Sequence, residues 1–434
     1  MTRTLIISDL HLGGLSGVDL LRRPALREAL LDELGGVDRL ILLGDVLELR
    51  HGPPHEALQA ARPFFEDVGR ALGGERELVV TAGNHDHLTV CGWLDARALG
   101  EPAPEPLGLE QRFDPSEASP MLARIARWAS PARVTVAYPG VWVRPDMYAM
   151  HGHFLDCHLT IPTLERIGVG VMGRLLERPG GAIDTVDGYE AVTAPIYAWR
   201  DAITRYGRAG PVLNGLATGR AWRALGGSDG GRGGVARAGG DLDGVGGVGG
   251  VAASFQRGRQ MLRAAGASAR RSAIKGAFPL MVDGLNRAGL GPLSPDISRG
   301  ELRRAGLRAM GEVAARLDLG DAYVVFGHTH RAGPFAYDPV SEWRGRSGAR
   351  LINAGSWVYD ATFLTATPGE SPYWPGTCVL VEETGPPVLR RLLLDRSHAE
   401  LMPQPAFDDD ERLRHAAEDG HSPEDATPGV KHVA

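Results

Sequence analysis

The amino-acid sequence predicts an α/β fold that carries a long, largely helical insertion. Three observations support this prediction. Short apolar runs stop abruptly at polar residues, stretches with helical spacing lie between the first of these runs, and a segment rich in Ala, Gly and Arg separates the early runs from the late ones. Alternating strands and helices are typical of a sheet that is covered by helices.

The apolar runs are typical of buried strands that end in loops. They are TLIISDLH (4–11), RLILLGD (39–45), ELVVTAGNHD (77–86), DMYAMHGH (146–153), AYVVFGHTH (322–330) and RLINAGS (350–356). Two later runs, 377–383 and 388–394, are joined by the turn sequence TGPP and predict a hairpin. Helical spacing over 24–34 and 56–72 places helices after the first and second runs.

The composition is that of an ordinary globular protein. Hydrophobic residues make up 43% of the 434 residues, charged residues make up 23%, and the formal net charge is −6. A negative net charge does not favour a general polyanion binder. The three widely spaced cysteines argue against a disulfide framework, and no run reaches the roughly 18 apolar residues of a membrane span. The first residues also lack a secretory apolar segment, so we expect a cytoplasmic protein.

The composition divides the chain into four parts. They are the first part of a core over 1–164, an insertion over 165–300, the second part of the core over 301–402, and a polar tail over 403–434. The insertion holds 18 Arg and Lys against 11 Asp and Glu, and 226–250 contains 13 glycines in 25 residues. Such a glycine content cannot bury enough surface to offset the entropy of ordering. We therefore expect 226–250 to be flexible and the acidic tail to be disordered.

Five of the six apolar runs between residues 4 and 356 end in polar side chains that can bind metals. They are Asp9 and His11, Asp45, Asn84 with His85 and Asp86, His151 with His153, and His328 with His330. Carboxylate, imidazole and amide ligands without thiolates suit divalent ions such as Mn, Fe, Zn or Co. If the strands end at one edge of a sheet, where open α/β sheets place their sites, these groups can surround two ions.

The motifs DLH, GD, GNHD, HGH and GHTH, in this order, resemble the five motifs of the calcineurin-like metallophosphoesterases. The resemblance covers 1–155 and 320–360 and implies a layered β-sandwich flanked by helices. It implies that two divalent ions are bound, with Mn favoured and Fe, Zn, Co or Mg as alternatives. Carried over position by position, Asp9, His11 and His330 would bind the first ion, Asn84, His151 and His328 would bind the second, and Asp45 would bridge them.

The resemblance also implies a reaction, the hydrolysis of a phosphomonoester or phosphodiester by a hydroxide between the two ions. His85 would stabilise the phosphoryl oxygens or protonate the leaving group, and Asp86 would fix the tautomer of His85. Three further residues are candidates for contacts to the ligands or to the substrate, namely His153, Asn353 and Arg331.

The substrate and the partners stay open at this stage. The sequences ISDLHLG, HGHFLD and GHTHR are also similar to the UDP-2,3-diacylglucosamine pyrophosphohydrolases, but this chain has His85 where that branch has Arg. The alternatives are therefore a pyrophosphohydrolase of a lipid-linked nucleotide, a nuclease-type phosphodiesterase, and a non-catalytic scaffold that binds a phospholigand. The basic insertion could contact a membrane surface or a lipid-linked substrate. Nucleic acid is disfavoured because only 6% of the residues are aromatic, and the oligomeric state is open.

Overall fold

The computed structural model describes residues 2–100, 104–175, 183–206 and 278–403. The glycine-rich stretch 226–250 lies outside the described residues, as do residues 404–434 of the expected tail. None of the helices in the described part of the chain has the length and apolar character needed to cross a bilayer. All three cysteines are free.

Ten strands and nine labelled helices form the described fold. The strands are β1 Thr4–Ile7, β2 Arg39–Leu43, β3 Glu77–Thr81, β4 Glu110–Phe113, β5 Arg133–Arg144, β6 Met147–Met150, β7 Tyr323–Phe326, β8 Arg350–Asn353, β9 Thr377–Val381 and β10 Val388–Arg391. The helices are α1 Pro24–Leu34, α2 Pro54–Leu72, α3 Leu88–Ala98, α4 Pro115–Ala118, α5 Pro120–Trp128, α6 Leu164–Leu175, α7 Val186–Tyr206, α8 Arg299–Arg316 and α9 His398–Leu401. A further helical stretch covers 278–287.

The strands follow the order β10-β9-β1-β2-β3-β5-β6-β7-β8, with β4 paired to β5. Strands β1, β2, β3 and the first half of β5 are parallel, and so are β6, β7 and β8. The second half of β5 pairs antiparallel with β6. The long strand β5 therefore carries the chain from one half of the sheet to the other.

Alternating side chains divide the interior into three apolar clusters. In β2, Leu40 and Leu42 join one cluster, whereas Ile41 and Leu43 join another that also contains Ala149 of β6. Successive side chains of a strand point to opposite faces, so the shared cluster is the layer where the two halves of the sheet pack together. This arrangement confirms the layered β-sandwich.

Helices cover the two outer faces of the sandwich. Helices α1, α2 and α5 pack their apolar side chains on the first half of the sheet. Helix α2 starts with Pro54, which lacks an N–H that would have no partner there, and stops before Gly73, whose φ is +65°. Helices α6, α7 and α8 contribute to the cluster on the second half, which includes Tyr148 and Phe326. Part of the expected insertion is thus packed against the core.

Candidate metal centre and active site

The polar side chains that follow five strands lie together at one edge of the sandwich. Asp9 and His11 follow β1, Asp45 follows β2, Asn84 and His85 follow β3, His151 follows β6, and His328 and His330 follow β7. Contacts join the two halves of the sheet, since His11 Nε2 lies 3.3 Å from His330 Nε2 and His151 Nε2 lies 3.3 Å from Asp45 Oδ2. The structure therefore brings the seven predicted ligands into one place.

The backbone at this edge is unusual. Of the six described non-glycine residues with a positive φ, five are predicted ligands, namely Asp9, His11, Asp45, His328 and His330. Each such conformation costs about 1–3 kcal/mol and persists only where the surroundings impose it. Backbone hydrogen bonds impose it here, from His11 N to Asp45 O at 2.8 Å and from Asp9 N to Gly44 O at 3.2 Å.

Two motif glycines leave room for the ligands. A Cβ atom on Gly83 would lie 2.3 Å from Asp45 Oδ1, and one on Gly327 would lie 2.3 Å from Asp9 Oδ2. Real Cβ atoms do not approach other atoms so closely, so any side chain at either position would displace a carboxylate. The glycines of GNHD and GHTH are required by this close approach.

Asp9, His11 and His330 form the first group that could hold a metal ion. His330 Nε2 lies 3.2 Å from Asp9 Oδ1, and His11 Nε2 lies 3.9 Å from the same oxygen. Asp9 is fully buried, and burial alone would raise the pKa of its carboxyl group. The neighbouring His330 and His151 hold that pKa below its ordinary value instead, so Asp9 is ionised.

Asp45, His151 and His328 form the second group, and Asn84 lies among them. Asn84 Oδ1 is 3.1 Å from His151 Nε2 and 3.0 Å from His328 Nδ1. Asp45 Oδ2 is also 3.6 Å from His11 Nε2 of the first group. Asp45 therefore lies between the two groups.

The histidines are held so that unprotonated ring nitrogens can face the centre. In each of three rings, the N–H of the other nitrogen donates to an acceptor outside these two groups. These acceptors are Glu48 Oε2 for His11 Nδ1 at 3.0 Å, Leu43 O for His151 Nδ1 at 3.0 Å, and Asp156 Oδ1 for His328 Nε2 at 3.2 Å. Fixing the tautomer in this way is typical of metal-binding histidines. The nitrogen and oxygen donors of the two groups also fit borderline divalent ions.

Asn84 gives a second test of this fit. With Oδ1 toward the centre, the amide oxygen faces only acceptors, an arrangement that a cation between them would stabilise, and the amide nitrogen faces a second donor, Arg50 Nη1. With the amide turned over, its nitrogen would instead donate to His151, His328 and Asp45 at 3.0–3.2 Å, and its oxygen would accept from Arg50 Nη1 at 3.0 Å. The amide oxygen can therefore face a bound ion, whereas the turned-over amide satisfies the same groups without one.

Glu48, rather than Asp86, is the carboxylate beside His85. Glu48 Oε2 lies 2.8 Å from His85 Nδ1, and the same oxygen accepts from His11. Burial would raise the pKa of Glu48, but His85 and His11 hold it well below its ordinary value. Burial lowers the pKa of His85 to about 4. One buried carboxylate therefore contacts both a predicted ligand and the predicted catalytic histidine.

Asp86 has a different position from the one expected. Its oxygens accept from four backbone amides, those of Gly83 at 2.7 Å, Val46 at 2.8 Å, and Asp45 and Leu47 at 3.3 Å each. The structure thus does not place Asp86 against His85. Asp86 holds together the loops that follow β2 and β3.

The three additional candidates, His153, Asn353 and Arg331, have different surroundings. Arg331 is paired with Asp338, at 2.5 Å between Nη2 and Oδ1, and its guanidinium lies over the Trp343 ring, so it is occupied within the protein. Asn353 Nδ2 donates to Gly327 O at 2.9 Å and braces the GHTH loop.

His153 is fully buried behind His151. Neither of its ring nitrogens has a hydrogen-bond partner among the described residues. Its ring lies 4.7 Å from that of Phe154 and 5.7 Å from that of Tyr197. His153 therefore packs as a core side chain next to the predicted ligand.

A cavity of about 520 Å³ opens over the two groups. Away from the predicted ligands, its wall is largely apolar and includes Leu155, Leu159, Leu302, Leu307, Phe326 and Phe363. Among the described residues, two arginines also line the cavity, but Arg303 is paired with Glu342 and Arg331 with Asp338. The cavity thus combines a polar floor with an apolar wall.

Sequence reasoning missed Glu48 and Asp156. Glu48 lies three residues after Asp45 in GDVLE, and Asp156 lies in HGHFLD, so neither directly follows a strand. The available signal was the presence of a carboxylate close after a predicted ligand, because such histidines usually need an acceptor for their second nitrogen.

Comparison with known families agrees with this geometry. Residues 2–201 match the family model of the calcineurin-like phosphoesterases. The match includes Asp9, His11, Asp45, Asn84 and His151, whereas the GHTH motif lies beyond it. No curated protein matches the chain. Together with the layered sandwich and the metal-binding groups at its edge, this match places residues 2–201 in the calcineurin-like phosphoesterases, a family of metal-dependent phosphoester hydrolases.

Proposed function

We propose that the protein hydrolyses a phosphomonoester or phosphodiester with two divalent ions, of which manganese is the first candidate. The observation that carries this proposal is the convergence of ligand atoms in two groups, with Asp45 in one group and 3.6 Å from His11 of the other. Asp9, His11 and His330 would hold one ion, Asn84, His151 and His328 the other, and Asp45 would bridge them. When bound, two such ions polarise the phosphoryl group and lower the pKa of water.

His85 is the proposed proton-transfer group. Its Nδ1 faces Glu48, which leaves Nε2 for the substrate. The ring lines the cavity and its side chain is 18% exposed. In this position Nε2 can accept a proton and pass it to the leaving oxygen. Glu48 keeps the ring in this orientation.

The first test compares two esters on metal-stripped protein. Bis(p-nitrophenyl) phosphate and p-nitrophenyl phosphate are offered with Mn, Co, Zn or Mg added back in turn. We expect metal-dependent turnover that is abolished in Asp45→Asn and lowered about 10²–10⁴-fold in kcat by His85→Ala. His85→Ala should still bind both ions, because His85 is not among the proposed ligands. Turnover that is equal without metal would contradict the proposal.

A second candidate is an amphiphilic substrate such as a lipid-linked pyrophosphate. The apolar wall of the cavity favours it, because an acyl or aryl group would find there the side chains of Leu302 and Phe363. In the described part of the chain, both arginines of the cavity are already ion-paired, which disfavours a second phosphate group. If a single-phosphate amphiphile is hydrolysed faster than a lipid-linked pyrophosphate, the result would support a substrate with one phosphate group.

The location of the protein is also part of the proposal. We infer a cytoplasmic protein whose basic insertion can touch an anionic membrane surface. Co-sedimentation of the full chain with vesicles of anionic phospholipid, compared with neutral phospholipid, tests this contact. Equal binding to both kinds of vesicle, or binding to neither, would contradict the proposed membrane contact.

A further inference from the structure

Asp156 lies directly behind a proposed ligand of the second ion. It belongs to the 3₁₀ turn His153–Cys157 that follows β6, and it is 3% exposed. Its Oδ1 atom lies 3.2 Å from Nε2 of His328, a residue 172 positions away in the chain. A buried carboxylate at this distance accepts the Nε2–H of the ring.

The opposite nitrogen of His328 faces the second group. Nδ1 lies 3.0 Å from Asn84 Oδ1, and the ring makes an angle of 80° with that of His151 at 5.3 Å between centroids. With the proton held on Nε2 by Asp156, the lone pair of Nδ1 points toward Asn84 and His151. Asp156 thus selects the tautomer that can bind a cation.

The turn that carries Asp156 is fixed by packing. The ring of Phe154 is stacked on Tyr189 of α7, with 4.7 Å between centroids and an angle of 7°. Leu155 and Cys157 on either side of Asp156 are buried. A carboxylate on such a turn has little freedom to leave His328.

The three outward acceptors of the histidines are not equivalent. His151 donates to a neutral carbonyl, that of Leu43, whereas His11 and His328 donate to carboxylates. An anionic acceptor makes the imidazole a more basic ligand than a neutral acceptor does. The effect of Asp156 should therefore appear in the affinity for the ion that His328 binds.

We propose that Asp156 is a positioning residue for the second metal ion, which it serves by holding His328 in its ligand tautomer. This inference rests on the proposed function, because it needs the second ion to be bound by His328. The motif HGHFLD would then supply two residues to the metal centre, the ligand His151 and the positioning residue Asp156. It also connects α7, through Phe154 and Asp156, to the metal centre.

The test measures metal binding rather than turnover. Full-length, metal-stripped protein is titrated with Mn²⁺ by calorimetry, as wild type, Asp156→Asn and Asp156→Leu. We expect two binding steps in the wild type. In both variants one step should weaken about 10–100-fold, and the other should stay within roughly 3-fold.

The matched control is Asp184→Asn, which removes an exposed carboxylate close to α7. It should bind both ions as the wild type does. A second measurement, ¹⁵N NMR with labelled histidine at a pH that leaves the His328 ring neutral, should show the Nε2–H tautomer of His328 in the metal-free wild type. That tautomer should be lost in Asp156→Leu, a change that a purely structural role for Asp156 would not produce.

The outcomes separate this inference from the proposed function. Wild-type protein that binds two ions, with variants that bind them equally well, would overturn the role of Asp156 alone. A loss of both steps together with a fall in the melting temperature would also overturn it, because Asp156 would then support the fold. Wild-type protein that binds no second ion would remove the proposed function as well.

Discussion

Neighbouring residues in the GNHD motif have separate tasks. His85 lines the cavity, whereas Asp86 is 2% exposed and accepts from four backbone amides of two loops. Burial and the nearby Asp45 raise the pKa of Asp86 to about 6, which the backbone donors only partly offset. Residue type and spacing could not distinguish these tasks, because both side chains follow the same strand.

We predict that Asp86→Ala destabilises the fold. The change removes a carboxylate that four buried amides share, and each lost bond to a charged group costs about 1.5–3 kcal/mol. The free energy of unfolding, measured with urea, should therefore fall by at least about 3 kcal/mol. Asp184→Ala, which removes an exposed carboxylate, serves as the control and should leave that free energy nearly unchanged. Equal stability of Asp86→Ala and wild type would show that the loops do not depend on this carboxylate.

Helix α7 is attached to the core by a buried polar cluster. Glu190 of α7 accepts from the Tyr138 hydroxyl, and its Oε2 lies 3.0 Å from Nε2 of His87. All three side chains are buried. Because Tyr138 belongs to β5 and His87 precedes α3, this cluster joins three elements.

We predict that Glu190→Ala destabilises the protein strongly. Removing one partner of a buried ion pair leaves an uncompensated charge and costs about 3–5 kcal/mol. Glu66→Ala is the matched control, since Glu66 forms an exposed pair with Arg62 in α2, and such pairs contribute less than about 1 kcal/mol. Urea unfolding of both variants gives the comparison. Similar losses in the two variants would contradict the role of the cluster.

The same cluster predicts a pH dependence. Burial would lower the pKa of His87, but Glu190 and Cys91 raise it to about 10. A pKa raised above its ordinary value of about 6.5 gives stability that is complete below that value and is lost as the pH rises toward 10. The stability of the wild type should therefore fall between pH 7 and 10. His87→Gln should show a smaller slope over this interval.

At the scale of elements, the sequence predicted most strands but not all. The runs that start at residues 4, 39, 77, 146, 322 and 350 each contain a strand, and the hairpin at 377–394 is present. Strand β5 was missed because Pro139 and Gly140 interrupt its apolar run, yet at this point the strand passes between the two halves of the sheet. A Cβ on Gly140 would lie 2.4 Å from Ala149 O, so the glycine is required by strand packing.

The predicted ligands could be found because each lies directly after an apolar run. Predicting Asp9, Asp45 and His328 as ligands required no tertiary information beyond the convergence of strand ends. Glu48 and Asp156 could not be found in this way, because their roles depend on which histidine nitrogen lacks an acceptor in the folded protein.

At the scale of the whole molecule, the metal centre lies across the sandwich. Asp9, Asp45 and Asn84 come from the first half of the sheet, whereas His151 and His328 come from the second. The two halves are otherwise joined by β5 and by their shared apolar layer. Bound ions would therefore add links between the halves.

We predict that removing the ions lowers the melting temperature by several degrees. A ligand that binds only the folded state at roughly 100 times its Kd adds about 2.7 kcal/mol, so two ions would add about 5 kcal/mol. Calorimetric melting with and without a chelator measures the difference. Asp184→Asn should respond as the wild type does, whereas Asp45→Asn should respond less, because it lacks the carboxylate between the two groups. A melting temperature that the chelator leaves unchanged would show that the two halves are held together without ions.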